Sequence, residues 1–208
     1  MPVDERRRQL LALSTDLFAR HSFAELSMAS IAREAGISKA LLYHYFPSKQ
    51  ELFLATLQAA AEEVRERTEP DPALPPAAAL AHSLDAFLEW VEQNELAYRK
   101  LLESAGSVPE VGALIAEVRD RTSARILEGL GAGSAPKPRA AVRAWLWFLD
   151  GAILDWLEHR DLDRAELGGL LLGSLAGALS AAGAAELLPP PSDPPRPPSP
   201  SSRSAPRP

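Results

Sequence analysis

Cysteine is absent from the 208 residues. That absence removes disulfides, thiolate nucleophiles and cysteine-ligated zinc together, and it leaves the redox compartment unspecified. The first ten residues, MPVDERRRQL, lack the apolar run of a secretion signal, which predicts a cytoplasmic protein. No four-residue stretch alternates apolar and polar side chains as a half-buried strand does, so an all-α fold is expected. Positive charge is in deficit, with 22 Lys and Arg against 28 Asp and Glu and a net charge of −6. Taken alone, that balance argues against a nucleic-acid partner. A phosphate loop, an H-E-x-x-H pair, a nucleophile elbow and a carboxylate pair with an adjacent base are all missing, so no catalysis is expected. His82 and His159 each lack metal-ligand spacing to another donor, so neither a metal nor a cofactor is expected.

What is present is an ordinary soluble composition, 46% hydrophobic and 24% charged. A chain of this size buries roughly 70% of its unfolded surface, enough for a core without staples. The charge is unevenly spread. Residues 1–50 hold seven Lys and Arg against five Asp and Glu, a balance of +2 that leaves −8 for the remainder. A mildly basic end on an acidic body suits a protein that presents one end to DNA.

Apolar residues recur at helical spacing nearly throughout. A first helix is predicted from Asp4 to His21, burying Leu10, Leu13, Leu17 and Phe18. Two short helices follow, then a longer one from Ser48 to about Arg67. Four prolines in Glu69–Pro76 break the pattern and set the boundary between residues 1–66 and residues 67–188. Beyond it, Leu80, Leu84, Phe87, Leu88 and Val91 form one stripe, and Asn94 is placed to cap a short helix through Leu102. Pro109 fits the first turn of another helix whose inward residues are Val111, Leu114, Ile115, Val118, Ile126 and Leu130. Two further helices are predicted, over residues 139–159 and 163–185. The last twenty residues, 189–208, contain ten prolines and read as a disordered tail.

The informative stretch is LSMASIAREAGISKALLYHYFPSKQEL, Leu26 to Leu52. Ser27 is placed to cap a helix whose inner face is Ile31, Ala32 and Ala35. Gly36 supplies the positive φ that a tight turn needs, and Ile37 plugs the turn into the core. Ser38 caps a second short helix that Pro47 ends, and Ser48 to Glu51 matches the capping box S-x-x-E. Two short helices about a glycine turn make a helix-turn-helix, here residues 27–46, whose second helix enters the major groove by its first residues. Those residues are Ser38, Lys39, Ala40 and Leu41. Spacing alone also fits an ordinary helical hairpin. The next residues, Tyr43-His44-Tyr45-Phe46, crowd three polar-tipped rings onto a two-turn helix. Tyr and His tips donate to phosphates, and Lys49 adds charge in the following helix's first turn. Lys39 reaches a guanine edge or a phosphate, whereas Phe46 reads as core.

On Ile31-Ala32, Ala35-Gly36-Ile37-Ser38, Leu42-Tyr43-His44-Tyr45-Phe46 and Ser48-Lys49, with Leu52 after them, the segment resembles the TetR family of bacterial repressors. The resemblance is specific over residues 5–66 and covers the rest in helix count and order. It implies that Ser27, Tyr43, His44 and Lys49 touch phosphates while Lys39, Ala40 and Leu41 face bases. Leu41 stands where many members carry a small or hydroxyl residue, and a thymine methyl is its natural partner. The resemblance also implies an effector pocket in the second region and a dimer interface made by the last two helices.

Residues 167–185 support that interface independently. They carry no charge and hold five glycines and six alanines. Each glycine inside a helix costs about 0.5–1 kcal/mol relative to alanine, so five need a compensating gain. Gly169, Gly173 and Gly177 recur every fourth residue and line one face on which a second helix can approach closely. A membrane-spanning GxxxG helix is the competing reading. Only six of the nineteen residues are strongly apolar, and no basic cluster or aromatic belt flanks them, which favours a soluble interface. The helix before it carries the densest aromatic group of the chain. These side chains pack the core or line an effector pocket; Trp147, Phe148 and Asp150 are the pocket candidates. An inward Asp150 or Asp155 requires a partner such as an arginine or a ligand cation.

The expected function is therefore a homodimeric, sequence-specific regulator, a repressor released from a palindromic operator by a small-molecule effector. Activation is compatible with the same parts. The competing class is a helical scaffold or membrane-associated protein whose N-terminal helices do not read DNA.

Overall fold

The computed structural model describes residues 3–106, 108–133 and 135–188. Among them are nine α-helices and a single 3-10 turn, with no strand. The helices are α1 Val3–Arg20, α2 Met28–Glu34, α3 Lys39–Tyr45, α4 Lys49–Arg67, α5 Pro76–Gln93, α6 Glu95–Ala105, α7 Pro109–Gly129, α8 Pro136–His159 and α9 Arg164–Ala181. The predicted proline-rich tail lies outside the described residues. No helix of the described residues is long and apolar enough to cross a membrane.

Local chemistry explains most of the boundaries. α5, α7 and α8 each begin with a proline in the first turn, where no intrahelical N–H partner is needed. Two ends differ from expectation. Asn94 precedes α6 without capping it, because its side-chain amide donates back to the Trp90 carbonyl at 2.9 Å and closes α5 instead. α9 stops at Ala181 rather than Ala185. Gly183 enters the left-handed region at φ 77°, and the Ala184 N–H returns to the Leu179 carbonyl at 2.9 Å. At its other end α9 carries a full capping box. Asp163 accepts from the Glu166 N–H, and Glu166 accepts from that of Asp163, both at 2.8 Å.

The buried residues form two clusters. One gathers Leu10, Leu17, Phe18, Ile31, Leu42, Phe46, Leu52 and Phe53 from α1 to α4. The other gathers Leu84, Leu88, Val91, Trp145, Leu149, Ile153, Leu171 and Leu175 from α5, α8 and α9. Three helices belong to both, α6 through Tyr98 and Leu102 on the second and Leu101 and Ala105 on the first. α4 gives Leu52 and Phe53 to the first and packs Ala60 and Val64 on the second. α7 gives Val111 and Ile115 to the first and Leu127 to the second. α8 and α9 lie side by side, tied by Trp145, whose indole N–H donates to the Leu171 carbonyl at 2.9 Å.

Candidate nucleic-acid interface

α2 and α3 are too short to persist alone, so their orientation depends on caps and on a few anchors. At the start of α2 the Ser27 hydroxyl accepts from the Ser30 N–H at 3.1 Å, and Ser30 Oγ accepts from the Ser27 N–H at 3.0 Å. Ile31 and Ala32 are buried beneath it. The chain then turns at Gly36, φ 64°, with the Ile37 N–H donating to the Ala32 carbonyl at 3.0 Å. A Cβ at Gly36 would meet nothing within 4 Å, so the backbone angle rather than space calls for glycine.

Ser38 caps α3 by accepting from the Leu41 N–H at 3.1 Å. Leu42 is fully buried and Phe46 is 2% exposed, and this pair fixes the inner side of the helix. Everything the spacing assigned to the opposite side is open to solvent. Lys39, Ala40, Leu41, Tyr43 and His44 are all exposed, with Leu41 at 38% and Tyr43 at 41%. Lys39 Nζ stands 5.6 Å from the Tyr43 ring centroid, so the two form an i, i+4 cation–π pair on the outer face. An exposed leucine beside an exposed tyrosine on a two-turn helix is not explained by this chain's own packing.

Lys49 is placed differently from its neighbours. Its ammonium donates to the Phe23 carbonyl at 2.6 Å and the Leu26 carbonyl at 2.8 Å, and it lies 4.2 Å from the Phe23 ring centroid. It thus pins the segment between α1 and α2 onto the start of α4, leaving one N–H of three uncommitted. Ser48 accepts from the Glu51 N–H at 3.1 Å, the expected half of a capping box. The Glu51 carboxylate meets the Ser48 hydroxyl at 3.5 Å instead of its N–H, so the reciprocal half is not made.

Two cavities lie behind this head. One of about 570 Å³ opens among α1, α4, α5, α6 and α7, and one of about 330 Å³ lies beside it toward α8. Both fall in the size range of small-molecule sites, roughly 300–1,000 Å³. They share Val64, Phe87, Val118, Arg119 and Asp150 in their linings. Asp150 points inward and finds the arginine partner that its position demanded. Arg119 pairs with one carboxylate oxygen, and the Tyr98 hydroxyl donates to the other at 2.7 Å. Burial, reinforced by the Asp150 charge and the hydrogen bond to it, holds the Tyr98 pKa well above the usual phenol value. Tyr98 therefore stays a protonated donor.

Trp147 and Phe148 do not join Asp150 in those linings. Trp147 is 66% exposed and Phe148 45% exposed, while Trp145, Leu149, Ile153 and Trp156 form the inward stripe of α8. Aromatic density along the chain had grouped side chains that helical phase separates. Trp147 still touches the cavity wall indirectly, since the Arg119 guanidinium stacks 3.9 Å from its ring centroid. In α9, Gly169, Gly173 and Gly177 are exposed with nothing within 4 Å of an added Cβ, and Leu170 is 52% exposed. Asp155 faces solvent beside His159. Tyr98, Arg119 and Arg125 were not anticipated. Their signal is present in α7, where both arginines fall on the same stripe as the inward Ile115, Val118 and Ile126.

Comparison with known proteins matches both regions. Residues 10–56 fit the model of bacterial regulatory proteins of the tetR family, and residues 76–177 fit that of the tetracyclin repressor-like C-terminal domain. A tetR-family transcriptional regulator from Streptomyces coelicolor, known as a crystal structure, superposes with a TM-score of 0.78 at 33% identity, over 88% of this chain and 84% of that one. The chain belongs to the tetR family. It is a DNA-binding transcriptional regulator, and neither the scaffold nor the membrane reading is favoured. Among curated relatives, the transcriptional activator FasR of Mycolicibacterium smegmatis is 36% identical over 110 residues, 50% of this chain. The match spans about half, 48%, of FasR's length. The regulator YhgD of Bacillus subtilis is 25% identical over 195 residues, covering 87% of this chain and all of that protein.

Proposed function

We propose that this tetR-family regulator binds a palindromic operator as a homodimer and represses until a small molecule enters the paired cavities. The observation that carries the reading is the outer face of α3, where Lys39, Ala40, Leu41, Tyr43 and His44 stand free over the buried Leu42 and Phe46. In this reading Lys39 takes a guanine edge or phosphate, Leu41 a thymine methyl, and Ala40 lets the helix approach. Ser27, Ser38, Tyr43, His44 and the remaining N–H of Lys49 hold phosphates. The apolar outer face of α8 and α9 pairs two copies, which sets the two reading helices about 34–36 Å apart. An effector among α4 to α8 would tilt α4 and change that spacing. FasR is named an activator, and the sign of regulation depends on where an operator lies rather than on the fold.

The test is selection of duplexes from a random DNA pool at fixed salt, with Lys39→Ala alongside. We expect an enriched palindrome whose preference relaxes in the variant by roughly 1–3 kcal/mol at one position per half-site. A pool left unenriched even at low salt would overturn the reading.

Lys49→Ala separates two contributions. Removing the donor from two carbonyls should cost about 1–2 kcal/mol of stability. Losing one phosphate contact per subunit should lower the salt dependence of binding by roughly one unit for each, on every sequence alike. A variant with unaltered salt dependence would confine Lys49 to the structural role.

A further inference from the structure

Among the described residues, one cation in the lining of the 330 Å³ cavity forms no ion pair. Arg125 of α7 is half-buried in its lining. It donates to Thr68 Oγ1 at 2.9 Å and more weakly to the Arg65 carbonyl at 3.4 Å, and both acceptors are neutral. Glu69, whose charge is felt at Arg125, is held by Arg65 at 3.1 Å. Among the described residues Arg125 forms no ion pair, whereas Arg119 in the same lining is neutralised by Asp150. Asp71, on the exposed rim, accepts from the Ala73 N–H at 2.8 Å. Loss of hydration lowers the Arg125 pKa from its ordinary value, a sign of the cost of leaving the charge there. The cavity wall is otherwise mostly apolar, with Leu80, Leu84, Ile126 and Leu149 on it.

We infer that this cavity takes a carboxylate on an apolar body, with Arg125 holding the head and the leucine-rich wall holding the body. The inference rests on the effector reading above and specifies its ligand. A carboxylate presents two charged acceptors to the guanidinium fork, and such bonds are about twice as strong as those to a neutral hydroxyl. Binding therefore competes with the existing partners of Arg125. Those partners belong to the end of α4: Arg65 lies in its last turn and Thr68 is its C-cap. Arg125 is thus a latch between α7 and the α4 end remote from the reading head. A bound carboxylate draws the latch away from α4, and the other end of α4 gives Leu52 and Phe53 to the core that also holds Leu42 of α3.

The test titrates the full-length protein with decanoate, 1-decanol and decyltrimethylammonium by calorimetry. Decanoate should bind at least roughly tenfold more tightly than decanol, with the ammonium weakest. Arg125→Gln should reduce decanoate to the decanol level while leaving decanol affinity in place, which shows that the variant still folds. Thr68→Val, which removes the competing acceptor, should tighten decanoate binding severalfold. Equal affinity for the three probes, or a carboxylate preference that survives Arg125→Gln, would overturn the inference. Preference lost only on Arg119→Gln would overturn it too, since it moves the head to the other arginine. Operator selection on the same protein without ligand keeps the two readings apart. A selected operator with no carboxylate preference defeats this inference alone, and carboxylate binding through Arg125 with no selected operator defeats the regulator reading alone.

Discussion

A Gly173→Leu chain is expected to be a folded monomer, more helical in isolation yet unable to pair. The two halves of this expectation have opposite signs, which makes it demanding. Within one chain, a Cβ at residue 173 meets nothing within 4 Å, and the position is exposed in the interior of α9. Replacing glycine by leucine there should raise helix stability by roughly 0.8 kcal/mol. Across the proposed two-fold, the same side chain fills the space that Gly169, Gly173 and Gly177 leave for a facing helix. Sedimentation should then show monomers where the parent is expected to be a dimer. Operator affinity should fall by roughly a hundredfold or more, because each reading helix must bind without its tethered twin. A variant that sediments as a dimer with unchanged operator affinity would move the interface elsewhere.

The second large effect is expected at Asp150. Among the described residues it is the sole carboxylate on Arg119, it is the acceptor of Tyr98, and the two side chains of the ion pair keep only 17% and 19% of their exposure. Asp150→Ala leaves a guanidinium and a phenol facing a mostly apolar wall without their carboxylate. Removing one member of a fully buried pair costs about 3–5 kcal/mol; the residual exposure here discounts that to about 2–3 kcal/mol. For a chain of this length that corresponds to a fall of roughly 5–10 °C in Tm. Asp150→Asn restores an acceptor for Tyr98 but no charge for Arg119, so it should recover part of the loss. Thermal melts of the three proteins decide the matter, and equal midpoints would show that the cluster contributes nothing net.

Features set by neighbours along the chain are legible in the sequence. Gly36, Ser38, Ser48 and Pro109 act within four residues of themselves, through turn and cap geometry that the local sequence encodes. Asn94 shows the limit of that logic. It is a good capping residue, but its amide found the end of the preceding helix first. Features that depend on phase or on distant partners were harder. Trp147 and Phe148 lie one to two residues from buried positions, and a shift of that size on a helix moves a side chain to the opposite face. The partners of Lys49, Asp150 and Arg125 lie 23 to 60 residues away in sequence. No local pattern announces them. A charged residue on an inward stripe, as in α7, is the trace such a site leaves.

The two cores, finally, have different residues but common walls. Opening the N-terminal cluster strips the cover from Val111 and Ile115, on the same rod that carries Leu127 into the second cluster. α4 does the same in the other direction through Val64. Head and body are therefore coupled as one cooperative unit rather than two beads on a string. Residues 1–66 are not a portable cassette. A chimaera that grafts them onto another regulator's body would have to bring a matching first two turns of α7, or the borrowed head would rest on a wall shaped for a different core.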